Sequence, residues 1–213
     1  MATRKGKRPR PRYGTSVFLN CPFDDAYRPL FRALVFTVQV CGFVARCALE
    51  ADDSGETRFA KILRLVEQSQ FGIHDICRTE LSANRLPRFN MPYELGLFIG
   101  FKYSGNATQQ RKRLLILDSE PYRYQQFLSD IAGQDIRSHG DRTETLIKEV
   151  RHWLQNQTPR SLPGADRLIE SFRRFQGDLP AVLDHLHKTP EDLDNYYDLH
   201  CVICDWIEQQ ISP

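Results

Sequence analysis

Short apolar segments alternate with segments of helical periodicity over most of this chain. The apolar segments predict five strands, at residues 16–20, 42–49, 71–76, 113–118 and a short one beginning at 135–136. Helical spacing of apolar residues predicts helices between them, at residues 27–40, 59–66, from 90 onward, 124–131 and 143–155. Strands that alternate with helices favour a parallel sheet covered on both faces, so we predict an α/β fold.

The C-terminal quarter has a different pattern. Residues 158–164 contain Pro159 and Pro163 and predict a linker, and helical spacing follows at 165–175, 179–186 and 192–211. We therefore predict three parts: a tail over 1–14, an α/β domain over 15–157 and a helical cap over 158–213. The cap is expected to pack on the sheet domain or to mediate self-association.

The tail is strongly basic, although the whole chain carries a net charge of only +2. Six cationic residues and no acidic residue occur among the first twelve: Arg4, Lys5, Lys7, Arg8, Arg10 and Arg12. Such a segment is expected to be disordered, and it could contact nucleic acid, although a solvated leader is the more ordinary interpretation. No apolar run is long enough to span a membrane and no secretion signal is evident, so we expect a cytoplasmic protein without membrane association.

Six cysteines in a cytoplasmic chain predict free thiols rather than disulfides. Cys201 and Cys204 form a C-x-x-C pair beside His200. Because zinc needs four convergent ligands and this spacing matches no usual finger, the pair is more simply interpreted as helical packing. We predict no metal and no cofactor in the functional site.

One carboxylate occurs where a core helix does not need it. Asn90 and Pro92 are typical of a helix start, which would place Glu94 in the first turn among apolar residues. There the helix dipole favours the ionised form, and a fixed anion suits a reaction that develops positive charge on a sugar. The alternative is a capping role, with Met91 as N-cap and Glu94 three residues later.

Further candidates follow the predicted strands, because ligands of open parallel sheets bind beyond the carboxyl ends of the strands. Phe23 or Tyr27 could stack on a nucleobase, and Arg46 could contact a diphosphate. Asp75 could position a ribose hydroxyl, with a turn cap as the alternative, whereas His74 more simply predicts a structural histidine. The candidate substrate-binding set is Asn20, Phe23, Asp24, Tyr27, Arg46, Asp75, Asn90 and Tyr93. The chain contains no phosphate-binding glycine loop, so nucleoside triphosphate hydrolysis and hydride transfer have no support.

Two segments carry a resemblance to a known family. Val17-Phe18-Leu19-Asn20 with Asp24 and Asp25, and the run from Asn90 to Gly100 around Glu94-Leu95-Gly96, resemble Toll/interleukin receptor (TIR) domains, especially bacterial TIR-like nucleotide-binding proteins. The resemblance covers about residues 15–137 and implies a flavodoxin-like sheet of about five strands. Cys21-Pro22-Phe23 and His74-Asp75 depart from the usual family pattern.

The resemblance implies an N-glycosidic-bond hydrolase in which Glu94 supports cleavage of NAD to nicotinamide and ADP-ribose, in bacterial anti-phage defence or signalling. NAD is then a substrate rather than a cofactor, and the active form is expected to be a homo-oligomer. The same Glu-Leu-Gly segment also resembles nucleoside deoxyribosyltransferases, in which the glutamate attacks the sugar. A third alternative is a non-enzymatic module that senses a nucleotide or binds a protein.

Overall fold

The computed structural model describes residues 11–50, 53–78 and 88–211. These residues contain a five-stranded sheet in which all paired strands are parallel, in the order β2-β1-β3-β4-β5. The strands are β1 (Ser16–Asn20), β2 (Val44–Arg46), β3 (Phe71–Asp75), β4 (Arg113–Asp118) and β5 (Arg137–Ser138). The strand order is flavodoxin-like and confirms the predicted fold class.

Six α-helices occur in the described part of the chain. They are α1 (Arg28–Val40), α2 (Arg58–Glu67), α3 (Asn90–Ser104), α4 (Thr143–Gln155), α5 (Ala165–His185) and α6 (Tyr196–Ile211). The predicted bounds of β1, β4 and α4 are confirmed. The helix predicted over 124–131 is instead two 3-10 segments, Arg123–Gln126 and Ser129–Ile131, and another 3-10 segment precedes α6 at Pro190–Asp194.

Helix α5 corrects a predicted break in the cap. The segments 165–175 and 179–186 form one helix that continues through Pro180. Proline removes one helical hydrogen bond, but the apolar stripe is unbroken on both sides of it. Its buried members are Leu168, Phe172, Phe175, Val182 and Leu183. Burial of this continuous stripe outweighs the local cost of the proline.

Helices cover both faces of the sheet, and the cap contributes to one of them. On one face, β1, β3 and β4 pack with α1 and α4, and the core continues into α5 and α6. The ring of Phe36 on α1 lies 5.2 Å from Phe172, 5.3 Å from Phe175 and 5.7 Å from Trp206, measured between ring centroids. On the other face, Phe18 packs with residues of α2 and α3. The cap therefore shares the main hydrophobic core of the α/β domain.

Helix α6 is bonded to the edge strand β2, and a short 3-10 helix precedes β1. The Tyr196 hydroxyl donates to the carbonyl of Ala45 in β2 at 2.6 Å, so α6 is fixed to the edge strand. Most of the predicted tail, residues 1–10, lies outside the described residues, whereas Tyr13–Thr15 form a short 3-10 helix. No helix among the described ranges is long and apolar enough to cross a membrane.

One cation lies buried at the amino end of β4. The Lys112 ammonium donates to the carbonyls of Val66 and Ser69, each at 2.5 Å, and lies 4.5 Å from the centroid of the Phe98 ring. Burial lowers the pKa of Lys112 to about 7, and the nearby Glu67 opposes this shift. The interior thus contains a titratable group at the end of the sheet opposite to the candidate site.

Candidate functional site

A cleft opens where the carboxyl end of β1 meets the start of α3. Its volume is about 440 Å³, within the range of about 300–1,000 Å³ that is usual for small-molecule sites. It is lined by Asn20, Cys21, Pro22, Phe23, Asp24, Arg58, Arg88, Asn90, Met91 and Glu94. Beside β1 the connections leave the sheet in opposite directions, and open α/β folds bind ligands at such a point.

Glu94 lines this cleft with a side chain that is only 7% exposed. Helix α3 begins at Asn90, so Glu94 is its fifth residue and not part of the first turn, and Met91 is not the N-cap. Both expectations about the helix start are therefore corrected. Burial raises the pKa of Glu94, and the positive charge of Arg58 opposes this rise. The shift is opposite to the one expected from the helix dipole, because loss of water around the carboxylate has the larger effect.

Two arginines that the sequence analysis did not select stand at the cleft. An Nη atom of Arg58 lies 3.5 Å from Glu94 Oε1, and Arg88 Nη1 donates to Asp24 Oδ2 at 2.6 Å. Asp24 also accepts from the Tyr27 backbone N–H at 3.0 Å, so it caps the turn before α1. Arg58 is the first residue of α2, directly after the Thr57 N-cap. The sequence signal that could have identified Arg58 was its position at a helix start near the rim of the sheet.

Asn20 and His74 fix the position of α3 against the sheet. The Asn20 amide donates to His74 Nδ1 at 3.0 Å and to the Met91 carbonyl at 2.8 Å. Because Nδ1 accepts this bond, the ring carries its proton on Nε2, and burial lowers the pKa of His74 to about 3. His74 is thus neutral and structural, as predicted, and Asn20 combines a place in the cleft lining with a structural bond.

Gly72 on β3 provides the space for this histidine. A Cβ atom at position 72 would lie 2.6 Å from His74 Nε2 and 2.8 Å from Cζ of Phe98. Both neighbours are buried, so neither can move without displacing other core atoms. The absence of a side chain at position 72 is therefore required for the packing beneath α3.

Tyr27 and Asp75 belong to a buried network and do not line the cleft. The Tyr27 hydroxyl donates to Asp75 Oδ2 at 2.5 Å, and the Cys77 backbone N–H donates to Asp75 Oδ1 at 3.0 Å. His139 Nε2 lies 3.0 Å from Asp75 Oδ2. Burial alone would raise the pKa of Asp75, but His139, the Tyr27 hydroxyl and the Cys77 thiol together hold it below its usual value.

These contacts correct two expected roles. Tyr27 has no exposed surface, so it cannot stack on a nucleobase, and its hydroxyl is already bonded to Asp75. Asp75 also has no exposed surface, so it cannot reach a ribose hydroxyl in the cleft. The alternative given for Asp75, a cap of the turn after β3, is the role that its bond to the Cys77 N–H gives it.

Arg46 is also absent from the cleft. Its Nε atom donates to both carboxylate oxygens of Glu50, at 2.8 and 2.7 Å, and an Nη atom donates to Gln68 at 3.3 Å. The guanidinium is therefore neutralised at the edge of the sheet by the salt bridge that was its alternative interpretation. The predicted contact between Arg46 and a diphosphate is therefore wrong.

The remaining candidates differ in their access to a ligand. Phe23 is 36% exposed and lines the cleft, with its ring 5.3 Å from Phe31 in an edge contact. Asn90 is exposed and also lines the cleft. Tyr93 is 56% exposed and lies 6.3 Å from the Phe59 ring, outside the lining residues. Phe23 is thus the predicted aromatic residue that can reach a bound base.

The cysteine pair in α6 has local partners. Cys204 Sγ lies 3.7 Å from His200 Nε2 and 3.5 Å from Gln39 Oε1, so it contacts α1. In the described part of the chain, a different group has closely spaced ligand atoms, namely Asp75, Cys77 and His139. The sequence analysis gave no metal role to these three residues.

The sheet and its cleft define an α/β protein with a candidate ligand site at the carboxyl ends of its strands. The chain matches no known protein-family model and no curated protein. The resemblance to TIR domains therefore stays a prediction from the quoted segments.

Proposed function

We propose that this chain is a TIR-like hydrolase of N-glycosidic bonds that cleaves NAD to nicotinamide and ADP-ribose. The observation that carries the proposal is the carboxyl group of Glu94 in a cleft of small-molecule size, with Arg58 3.5 Å away. Breaking the bond builds positive charge on the ribose, and a nearby carboxylate lowers the barrier by stabilising that charge.

The low exposure of Glu94 strengthens this effect. An ion pair across the cleft interacts more strongly with water excluded, because the effective dielectric constant is lower than in bulk water. Burial also raises the pKa of Glu94, and Arg58 keeps the charged form accessible by opposing that rise. We assign Glu94 to the sugar and Arg58 and Arg88, each about half exposed, to the phosphates of the substrate.

The lining favours a substrate whose base leaves without a proton. Its carboxyl groups among the described residues are Glu94 and Asp24, and both oxygens of Asp24 already accept hydrogen bonds, from the Tyr27 N–H and from Arg88. The described lining residues thus offer no second uncommitted carboxyl group to protonate a purine or pyrimidine. Nicotinamide leaves NAD as a neutral molecule and needs no such donor, which is why we propose NAD over a nucleoside.

The test is nucleobase release by the full-length chain. We also propose a homo-oligomer as the active form, so the protein is used at high concentration with NAD or with a panel of nucleosides and nucleotides, and free bases are measured by chromatography. We expect nicotinamide release from NAD, reduced at least about 100-fold in Glu94→Gln, since electrostatic groups of this kind contribute about 100- to 1,000-fold. Glu170→Gln, which changes an exposed glutamate on α5, is the matched control and should retain activity.

Other outcomes would redirect the assignment. A covalent sugar adduct on Glu94, trapped with a slowly reacting fluorinated nucleoside and identified by peptide mass, would favour the deoxyribosyltransferase-like alternative. Nicotinamide release that persists unchanged in Glu94→Gln would refute the role of Glu94. Tight NAD binding without release of any base would favour the sensing module.

A further inference from the structure

The group formed by Asp75, Cys77 and His139 is separate from the cleft residues. Asp75 ends β3, Cys77 follows two residues later, and His139 follows β5, so the group lies at the carboxyl end of the sheet. All three side chains are buried, and one ligand atom of each lies within 4.8 Å of the other two. We propose that these residues bind a divalent transition-metal ion, and that the ion is zinc.

The donor atoms suit zinc chemically. Carboxylate oxygen, thiolate sulfur and imidazole nitrogen are its usual protein ligands, at about 2.0–2.3 Å. Tetrahedral ligands at these lengths are about 3.4–3.8 Å apart. The ligand atoms here lie within 4.8 Å of one another, with His139 Nε2 and Asp75 Oδ2 at 3.0 Å, so the side chains must shift to bind the ion. Three protein ligands leave a fourth position for a water molecule.

The contact between His139 and Asp75 is poorly aligned. His139 is fully buried, and its Nε2 lies 3.0 Å from Asp75 Oδ2 without the alignment of a hydrogen bond. A metal ion bound to both side chains would replace this contact. Asp118 ends β4, the strand between β3 and β5; its Oδ1 accepts from Arg123, and its buried Oδ2 has no partner among the described residues. Because Arg123 already balances the charge of Asp118, an ion here would be held by Asp75, Cys77 and His139.

Neighbouring groups can orient the ligands. The Tyr27 hydroxyl donates to Asp75 and can keep that bond when the carboxylate binds a metal. The Asp141 backbone N–H donates to His139 Nδ1 at 3.0 Å, so the proton of the neutral ring is on Nε2. Metal binding at Nε2 requires this proton to move to Nδ1, which breaks the bond from the Asp141 N–H, and Asp141 Oδ1, 3.9 Å from Nδ1, must approach to accept it. Cys77 must also lose its thiol proton to solvent, against burial and the nearby Asp75, which raise its pKa.

The test uses the full-length chain, stripped with a chelator and then titrated with Zn²⁺ or Co²⁺. We expect about one zinc per chain by elemental analysis, and a cobalt form with thiolate-to-cobalt charge-transfer absorption. Cys77→Ser should abolish that absorption and weaken zinc binding more than about tenfold. Cys41→Ser, which changes another buried cysteine at the end of α1, is the matched control and should retain both signals.

Three results would overturn the proposal. They are the absence of stoichiometric zinc in the folded wild-type chain, unchanged cobalt absorption in Cys77→Ser, and loss of binding only when Cys201 and Cys204 are both replaced by serine. If circular dichroism shows that Cys77→Ser is unfolded, alkylation of the wild-type chain decides the question. Zinc must then slow modification of Cys77 and leave Cys41 unchanged, and failure to do so refutes the site.

Discussion

Replacing Tyr27 by phenylalanine should destabilise the protein more than the same change at Tyr196. Both tyrosines are buried and both donate one short hydrogen bond, at 2.5 Å to Asp75 and at 2.6 Å to the Ala45 carbonyl. The acceptors differ, because the first is a buried carboxylate and the second a neutral carbonyl. The two variants therefore compare a charged with a neutral acceptor for the same lost hydroxyl.

The magnitudes follow from the acceptors. A hydrogen bond to a charged group contributes about 1.5–3 kcal/mol and one between neutral groups about 0.5–1.5 kcal/mol. Asp75 keeps its contacts with His139 and with the Cys77 N–H, so the carboxylate is not left without partners. We expect a loss in the free energy of unfolding of about 2–3 kcal/mol for Tyr27→Phe and about 1 kcal/mol for Tyr196→Phe.

Urea unfolding followed by circular dichroism measures the difference. With a slope of about 2 kcal/mol/M, the midpoint should fall by about 1 M in Tyr27→Phe and by about half as much in Tyr196→Phe. A chelator in all samples keeps bound metal from contributing. The double variant Tyr27→Phe, Asp75→Asn should show that the two effects are not additive. Equal losses in the two single variants, or strict additivity, would refute the assignment of a charged hydrogen bond at Tyr27.

Three further perturbations test other parts of the structure. Gly72→Ala should lower the free energy of unfolding by about 1–3 kcal/mol, because its Cβ would overlap His74 and no rearrangement of exposed atoms relieves the contact; a variant as stable as wild type in urea would contradict this. The pKa of Lys112 is lowered to about 7 in the folded protein, so between about pH 7 and pH 10.5 the unfolded chain binds more protons than the folded one. The free energy of unfolding should therefore rise with pH in that window by up to about 1.4 kcal/mol per pH unit, relative to Lys112→Met. Stability curves that run parallel for the two proteins would contradict the lowered pKa. Arg58→Gln should raise the pKa of Glu94 further and move the acidic limb of the pH–rate profile for nicotinamide release to higher pH, and an unmoved limb would show that the two groups are not coupled.

The sequence predicted the sheet well because its strands are signalled locally. Ser16–Asn20 and Arg113–Asp118 are apolar runs with polar ends, and the structure has both at the predicted bounds. The two-residue strand Arg137–Ser138 has no such pattern, since it is defined only by its pairing with Leu117 and Asp118. Similarly, α5 continues through Pro180 because of tertiary burial, which local proline chemistry does not indicate.

The candidate site was predicted only in part, because local sequence signals identify some of its residues and not others. Glu94 was identifiable because an acid in an apolar helix is unusual, and the structure places it in the lining of the cleft. Tyr27 and Asp75 follow the strands as expected, but strand position does not say whether a side chain faces the cleft or the interior. His139 was missed because it lies 64 positions after Asp75 in the sequence, and only the fold brings them to 3.0 Å.

The packing of the cap on α1 also affects how the chain can fold during its synthesis. Phe36 contacts Trp206, which the ribosome adds 170 residues later. At about 5–20 residues per second, that interval lasts about 10–30 s. Throughout this time the aromatic face of α1 is not yet packed against α6, so the nascent chain exposes a hydrophobic surface that chaperones can bind. The core is completed only after α6 has been translated.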